Sequence, residues 1–168
     1  MKKVFLTLAL MLTTMVASAQ WYVGGGIGFS KSEALEEETT NFVFAPEIGY
    51  TINENWTVGA ALEVDWTKDV STAYAVNPYV RYSFFKAGNF SFFADGVVEL
   101  GNIKPEEGDS QFCWGVGVMP GIAYSFTENI AIAGHIGWLG HRSYDDLGES
   151  TGIILNGNEL SFSIYYNF

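Results

Sequence analysis

The 168-residue sequence predicts an all-β fold: an eight-stranded antiparallel transmembrane β-barrel of up-and-down meander topology. Three observations lead there. Only 16% of the residues are charged, where a soluble domain carries about 25%. From Trp21 onward, large apolar residues alternate with small or polar ones in runs of about ten, the length a tilted strand needs to cross a bilayer. No apolar stretch reaches the roughly 20 residues of a helical span.

The first segment is set apart from the barrel. Lys2 and Lys3 form a positive n-region, Val4 to Val16 an apolar h-region, and Ala17-Ser18-Ala19 a small-residue cleavage site, the three parts of a secretory signal peptide. Residues 1–19 are thus expected to be removed, leaving residues 20–168 as the barrel domain. Loss of Lys2 and Lys3 takes the formal charge from -11 to -13. So acidic a chain argues against nucleic acid, whose phosphates demand a basic face. Cys113 is the single cysteine, so no internal disulfide forms and the thiol is expected to pack.

Eight runs follow. The first, Trp21 to Phe29, sets Trp21, Val23, Ile27 and Phe29 against Tyr22, Gly24, Gly26 and Gly28. The second, Asn41 to Thr51, sets Phe42, Phe44, Pro46, Ile48 and Tyr50 against Val43, Ala45, Glu47 and Gly49. The third, Trp56 to Trp66, alternates Val58, Ala60, Leu62 and Val64 with Thr57, Gly59, Ala61, Glu63 and Asp65. A tryptophan at each end suits two membrane interfaces, where aromatic girdles sit.

The fourth run, about Ala73 to Phe85, sends Tyr74, Val76, Pro78, Val80, Tyr82 and Phe84 outward and Asn77, Tyr79, Arg81 and Ser83 inward. The fifth, Phe90 to Gly101, opposes Asp95 and Glu99 to Phe92, Ala94, Val98 and Leu100. In the sixth, Gln111 to Phe126, large residues such as Trp114 and Val116 alternate with Cys113, Gly115, Gly117, Met119 and Gly121. The seventh, Ile130 to Gly140, sets Ile132, Ile136 and Trp138 against Ala131, Ala133, His135 and Gly137. The eighth, about Asn158 to Phe168, sets Leu160, Phe162, Ile164, Tyr166 and Phe168 against Glu159, Ser161, Ser163, Tyr165 and Asn167.

Connections alternate too. Ile52-Asn55, Lys86-Asn89 and Thr127-Asn129 are short, whereas Ser32-Thr40, Thr67-Thr72, Asn102-Ser110 and His141-Gly157 are longer and polar. Short turns on one side and long loops on the other are the asymmetry of a bacterial outer-membrane barrel, with both termini on the short-turn, periplasmic side. Hydrocarbon tolerates no open sheet edge, so the first and eighth strands should pair. A soluble barrel would point its large apolar residues inward; here one face carries most of the Trp, Phe, Ile and Val, which suits lipid outside and a narrow polar lumen.

On these residues the chain resembles the eight-stranded outer-membrane protein β-barrel family, whose relatives include the OmpA transmembrane domain, OmpX and small barrels of the porin family. The resemblance covers essentially Gln20 to Phe168. Its most telling residues are the opening strand Val23-Gly24-Gly25-Gly26-Ile27-Gly28 and the ending Leu160-Ser161-Phe162-Ser163-Ile164-Tyr165-Tyr166-Asn167-Phe168. In such families a terminal Phe with apolar or aromatic residues at alternate positions is the signal read by the barrel assembly machinery. The resemblance gives that role to Leu160, Phe162, Ile164, Tyr166 and Phe168. No peptidoglycan-binding domain follows, so tethering to the cell wall is not implied.

The inward faces hold Glu47, Glu63, Asp65, Asp95, Glu99 and Glu159, with Arg81 and His135 as the cationic partners. A buried charge must be paired or hydrogen-bonded, so a lumen network centred on Arg81 is expected. The alternative is a cation path, although a barrel of eight strands is just wide enough to be filled by its own side chains. Carboxylates also cluster in the long loops, at Glu33 and Glu36 to Glu38, Asp69, Glu106, Glu107 and Asp109, then Asp145, Asp146 and Glu149. They could hold Ca²⁺ or bridge to lipopolysaccharide through divalent ions, but no calcium-loop spacing is present and a solvated surface is expected.

His141-Arg142-Ser143 with Glu149 resembles, over those few residues, an outer-membrane lipid A deacylase family that uses a His-x-Ser pair and a downstream acid. Strand alternation puts them at a strand-to-loop exit, where polar residues are expected anyway. His135 has no second ligand at metal spacing. Gly24 to Gly28 lacks the Lys-Ser/Thr and the helix of a nucleotide loop. The expectation is a non-enzymatic, structural or surface-interaction protein of the cell outer membrane without cofactor or metal. Its partners would be outer-membrane lipid and lipopolysaccharide, the assembly machinery and an extracellular ligand at the long loops; a small-solute or cation pore is the alternative, and a deacylase-type hydrolase the third reading.

Overall fold

The computed structural model describes residues 21–34, 37–68, 70–106, 108–145, 148–154 and 160–168. The expected signal peptide lies outside them, and so does Glu159. Among the described residues ten strands form one sheet: β1 (Trp21–Ala34), β2 (Glu37–Thr51), β3 (Trp56–Thr67), β4 (Ser71–Ala87), β5 (Phe90–Pro105), β6 (Gln111–Ser125), β7 (Ile130–Ile136), β8 (Trp138–Tyr144), β9 (Gly148–Ile154) and β10 (Leu160–Asn167). Every pairing is antiparallel.

These ten strands make eight staves. β6 pairs with β7 over Gly121–Ser125 and with β8 over Cys113–Val118, so β7 and β8 are one stave broken at Gly137. β9 lies against β8 and β10 against β7, and together they form the eighth. Closure comes from β1 on β10, with Tyr22 opposite Asn167 and Gly25 opposite Ile164. The Phe168 N–H then donates to the Trp21 carbonyl at 3.0 Å. The sheet thus closes on itself through β1 and β10, which answers the demand of hydrocarbon that backbone groups be paired within the sheet.

The outer wall is apolar. Ile27, Leu62, Phe84, Phe85, Phe162 and Ile164 are each more than half exposed, which in water would invite aggregation and in lipid is the ordinary state. Aromatic pairs ring the short-turn end: Trp21 with Tyr50, Trp56 with Tyr82, and Phe90 with Tyr124, at 5.1, 4.7 and 4.8 Å between ring centroids. Trp66, Phe112 and Trp114 are exposed toward the other end. Ten residue steps from Trp56 to Trp66 rise about 33 Å along the strand, or about 25 Å across a bilayer at a tilt near 40°, the height of an outer-membrane apolar band.

Two expectations are corrected. The long polar connections are shorter than expected, because the strands continue beyond the apolar band. β1 runs to Ala34, β4 starts at Ser71, β5 reaches Pro105, and most of His141–Gly157 is the β8–β9 hairpin. Above the membrane a strand has water on its outer face, so polar residues there do not signal a loop. The second correction is the facing of Trp138, which is 2% exposed and points into the barrel instead of out beside Ile136. Gly137 has φ +79°, a left-handed conformation that glycine adopts without steric cost. One residue spent there reverses the alternation of everything after it.

Candidate functional site

Large lumen rings need space, and glycine on an adjoining strand provides it. A Cβ at Gly24 would strike the Tyr165 ring, one at Gly49 the Tyr22 ring, one at Gly59 the Tyr79 ring, one at Gly117 Trp138 and one at Gly121 Phe93. Small residues facing large ones are how a narrow barrel is filled. Tyr22, Tyr79, Phe93, Val97, Trp138 and Tyr165 form the packed core, with Met119 and Ala123 against it.

Toward the short-turn end of the lumen the ring cluster surrounds a charged group. Arg81 on β4 faces Asp95 on β5 as a direct cross-strand pair. Its Nε and Nη2 donate to the two Asp95 carboxylate oxygens, both at 2.8 Å. Asp95 is 2% exposed. His135 on β7 donates from Nε2 to Asp95 Oδ2 at 2.8 Å, the tautomer that an ionised, acceptor-only carboxylate selects. The guanidinium lies 4.0 Å from the Phe93 ring centroid, with Tyr79 and Tyr165 also in reach at 5.4 and 5.5 Å. A bidentate pair flanked by π faces is the strong form of a buried charge contact.

Glu47 sits beside this triad in a cage of phenols. Tyr22 and Tyr79 donate to its Oε1 and Tyr165 to its Oε2 at 3.0 Å. Toward the long-hairpin end, Glu63 accepts from Asn77 Nδ2 at 3.1 Å, and Asp65 accepts from Asn41. Glu99 takes a second bidentate bridge, from Arg142 Nε and Nη2 at 2.8 and 3.0 Å, and that guanidinium stacks 4.1 Å from the Trp138 ring centroid.

Of the residues expected in the lumen, Arg81, Asp95 and His135 thus meet directly. Glu47 is adjacent, while Glu63, Asp65 and Glu99 belong to a separate upper layer. Arg142 was missed as a lumen cation. Its inward facing follows from the reversal at Gly137, and a glycine inside an apolar run, itself a sign of a bulge, was the available clue. Cys113 is half-buried near Gly101.

Because the strand continues beyond the apolar band, His141 and Ser143 lie within β8, Ser143 one residue from its end. His141 Nδ1 bonds Thr151 Oγ1 at 2.6 Å and its ring packs beside Trp114, while Ser143 is registered opposite Glu149. The imidazole is therefore engaged with a threonine rather than with the serine. Among the described residues, no group of three or more His, Cys, Asp or Glu is arranged to hold a metal ion. Of the expected C-terminal signal, Phe162, Ile164 and Tyr166 are exposed on the outer wall, and the Leu160 side chain lies outside the described set.

Residues 4–168 match the family described as outer membrane protein beta-barrel domain. An uncharacterized protein of Haemophilus influenzae is 25% identical over 156 residues, covering 79% of this chain and 85% of its own. The crystal structure of Neisserial surface protein A superposes with a TM-score of 0.63 at 16% identity, over 88% of this chain and 97% of that one, a likeness of fold. A match across nearly the whole sequence, together with the closed eight-stave barrel, means that this chain belongs to the outer membrane protein beta-barrel domain family.

Proposed function

We propose that the mature chain, freed of residues 1–19, stands in the outer membrane as a closed, non-conducting barrel that presents its rigid β-hairpins at the cell surface, and that it is a structural or surface-interaction protein rather than a pore or an enzyme. The assembly role of Leu160, Phe162, Ile164, Tyr166 and Phe168 belongs to the same proposal. The observation that carries it is the filled lumen. The Arg81–Asp95–His135 triad and the rings of Tyr22, Tyr79, Phe93 and Tyr165 occupy one section of the lumen from several staves. An ion would have to part a bidentate bridge inside a cage of aromatic rings, and eight strands give no spare width.

The hairpins supply the surface. The β1–β2 and β8–β9 hairpins, and the paired start of β4 and end of β5, remain hydrogen-bonded beyond the apolar band, so they offer rigid and largely acidic edges to a basic partner. Planar-bilayer recording tests the non-conducting reading. The refolded mature chain is expected to give no discrete conductance steps; regular single-channel steps at wild-type lumen sequence would replace it with the pore.

A further inference from the structure

A groove of about 240 Å³ opens at the outer-rim end of β3, β4 and β5, lined by Trp66, Thr67, Ser71, Thr72, Tyr74, Lys104, Pro105 and Glu106. Three of these residues form one cross-strand row, since Trp66 is registered opposite Thr72 and Thr72 opposite Lys104. Trp66 and Tyr74 are 45% and 55% exposed on the lipid-facing side. The row therefore lies at the upper interface, where headgroups meet acyl chains.

Lys104 has no ion-pair partner among the described residues. In a chain of net charge -11 that is unusual. Arg81 and Arg142 are both held by lumen carboxylates, and Lys86 donates to the Glu54 carbonyl at the opposite end. A lysine ammonium directly across from a threonine hydroxyl on the same outward face is a phosphate-binding pair. The Trp66 and Tyr74 faces suit the apolar face of a sugar ring. Glu106, on the same wall, would repel a bare anion but accepts hydrogen bonds from sugar hydroxyls. Below the groove, exposed Leu62, Val76 and Leu100 continue the wall downward as a track for acyl chains.

We propose that this groove binds the phosphorylated sugar headgroup of an outer-leaflet glycolipid, with Lys104 and Thr72 on the phosphate, Trp66 and Tyr74 against the sugar, and the acyl chains along Leu62, Val76 and Leu100. The inference rests on the membrane-barrel reading and gives its lipid partner a definite place.

Native mass spectrometry of the refolded mature chain tests it, with diphosphorylated lipid A and its dephosphorylated form as the probes. Wild type should retain the phosphorylated form preferentially. Lys104→Gln should lower that retention about fivefold, the order expected for one basic side chain against an anionic lipid surface. Lys104→Arg and Lys86→Gln should match wild type, and millimolar glucose 1-phosphate should displace nothing. Unchanged retention by Lys104→Gln, equal retention of the dephosphorylated lipid, or displacement by the free sugar phosphate would each overturn the assignment. Gel mobility before and after boiling, run on every variant, separates failure of the groove from failure of the barrel: a wild-type chain that shifts on heating yet shows no preference refutes the groove alone.

Discussion

Asp95 holds the centre of the lumen because it satisfies two donors at once, the Arg81 fork and the His135 ring. Replacing it by alanine leaves a buried guanidinium without its counter-charge, so Asp95→Ala should destabilise the folded barrel by about 3–5 kcal/mol. Urea unfolding in lipid vesicles measures this. The double replacement Arg81→Leu with Asp95→Leu should cost less than Asp95→Ala alone, since no unpaired charge remains; an equal or larger loss would mean that the pair itself supplies the stability. Alternation in the sequence puts Arg81, Asp95 and His135 on inward faces, but it cannot tell which lumen acids share a layer. That depends on cross-strand register, and register places Glu47 among the tyrosines and Glu99 with Arg142 one layer higher.

Within elements, the period of two carries nearly all the information, and it fails where a strand leaves the regime that creates the pattern. Lipid outside and packing inside produce apolar alternation between Trp56 and Trp66. At the upper girdle and past it Ser71, Thr72 and Lys104 are still in strands, but there the outer face meets headgroups and water and looks like loop. The other failure is Gly137, where continuous alternation would have kept Trp138 outside. Gly137→Ala places a Cβ in a left-handed conformation, which costs about 1–2 kcal/mol, and the loss should appear in the same unfolding assay with Trp138 becoming quenchable by bilayer-borne bromolipids if the register slips. Leu62 is 54% exposed near the middle of β3. An arginine there meets the bilayer midplane, so Leu62→Arg should cost about 2–4 kcal/mol in vesicles; a negligible cost would remove lipid from that face.

In the molecule as a whole, a lipid-facing apolar wall, a closed sheet and a lumen filled by side chains belong together. Each depends on the others: closure satisfies the backbone, the narrow width of eight staves lets rings over glycines fill the interior, and the filled interior makes a rigid support for the surface hairpins. Gel mobility of the mature chain refolded in detergent, with and without boiling, tests this most directly, because a closed hydrogen-bonded barrel withstands SDS until heated. A compact, faster-migrating band that converts on boiling to the mobility of the unfolded chain is the predicted result. A single mobility under both conditions, from protein that is water-soluble without detergent, would contradict it and exchange the inner and outer faces of the barrel.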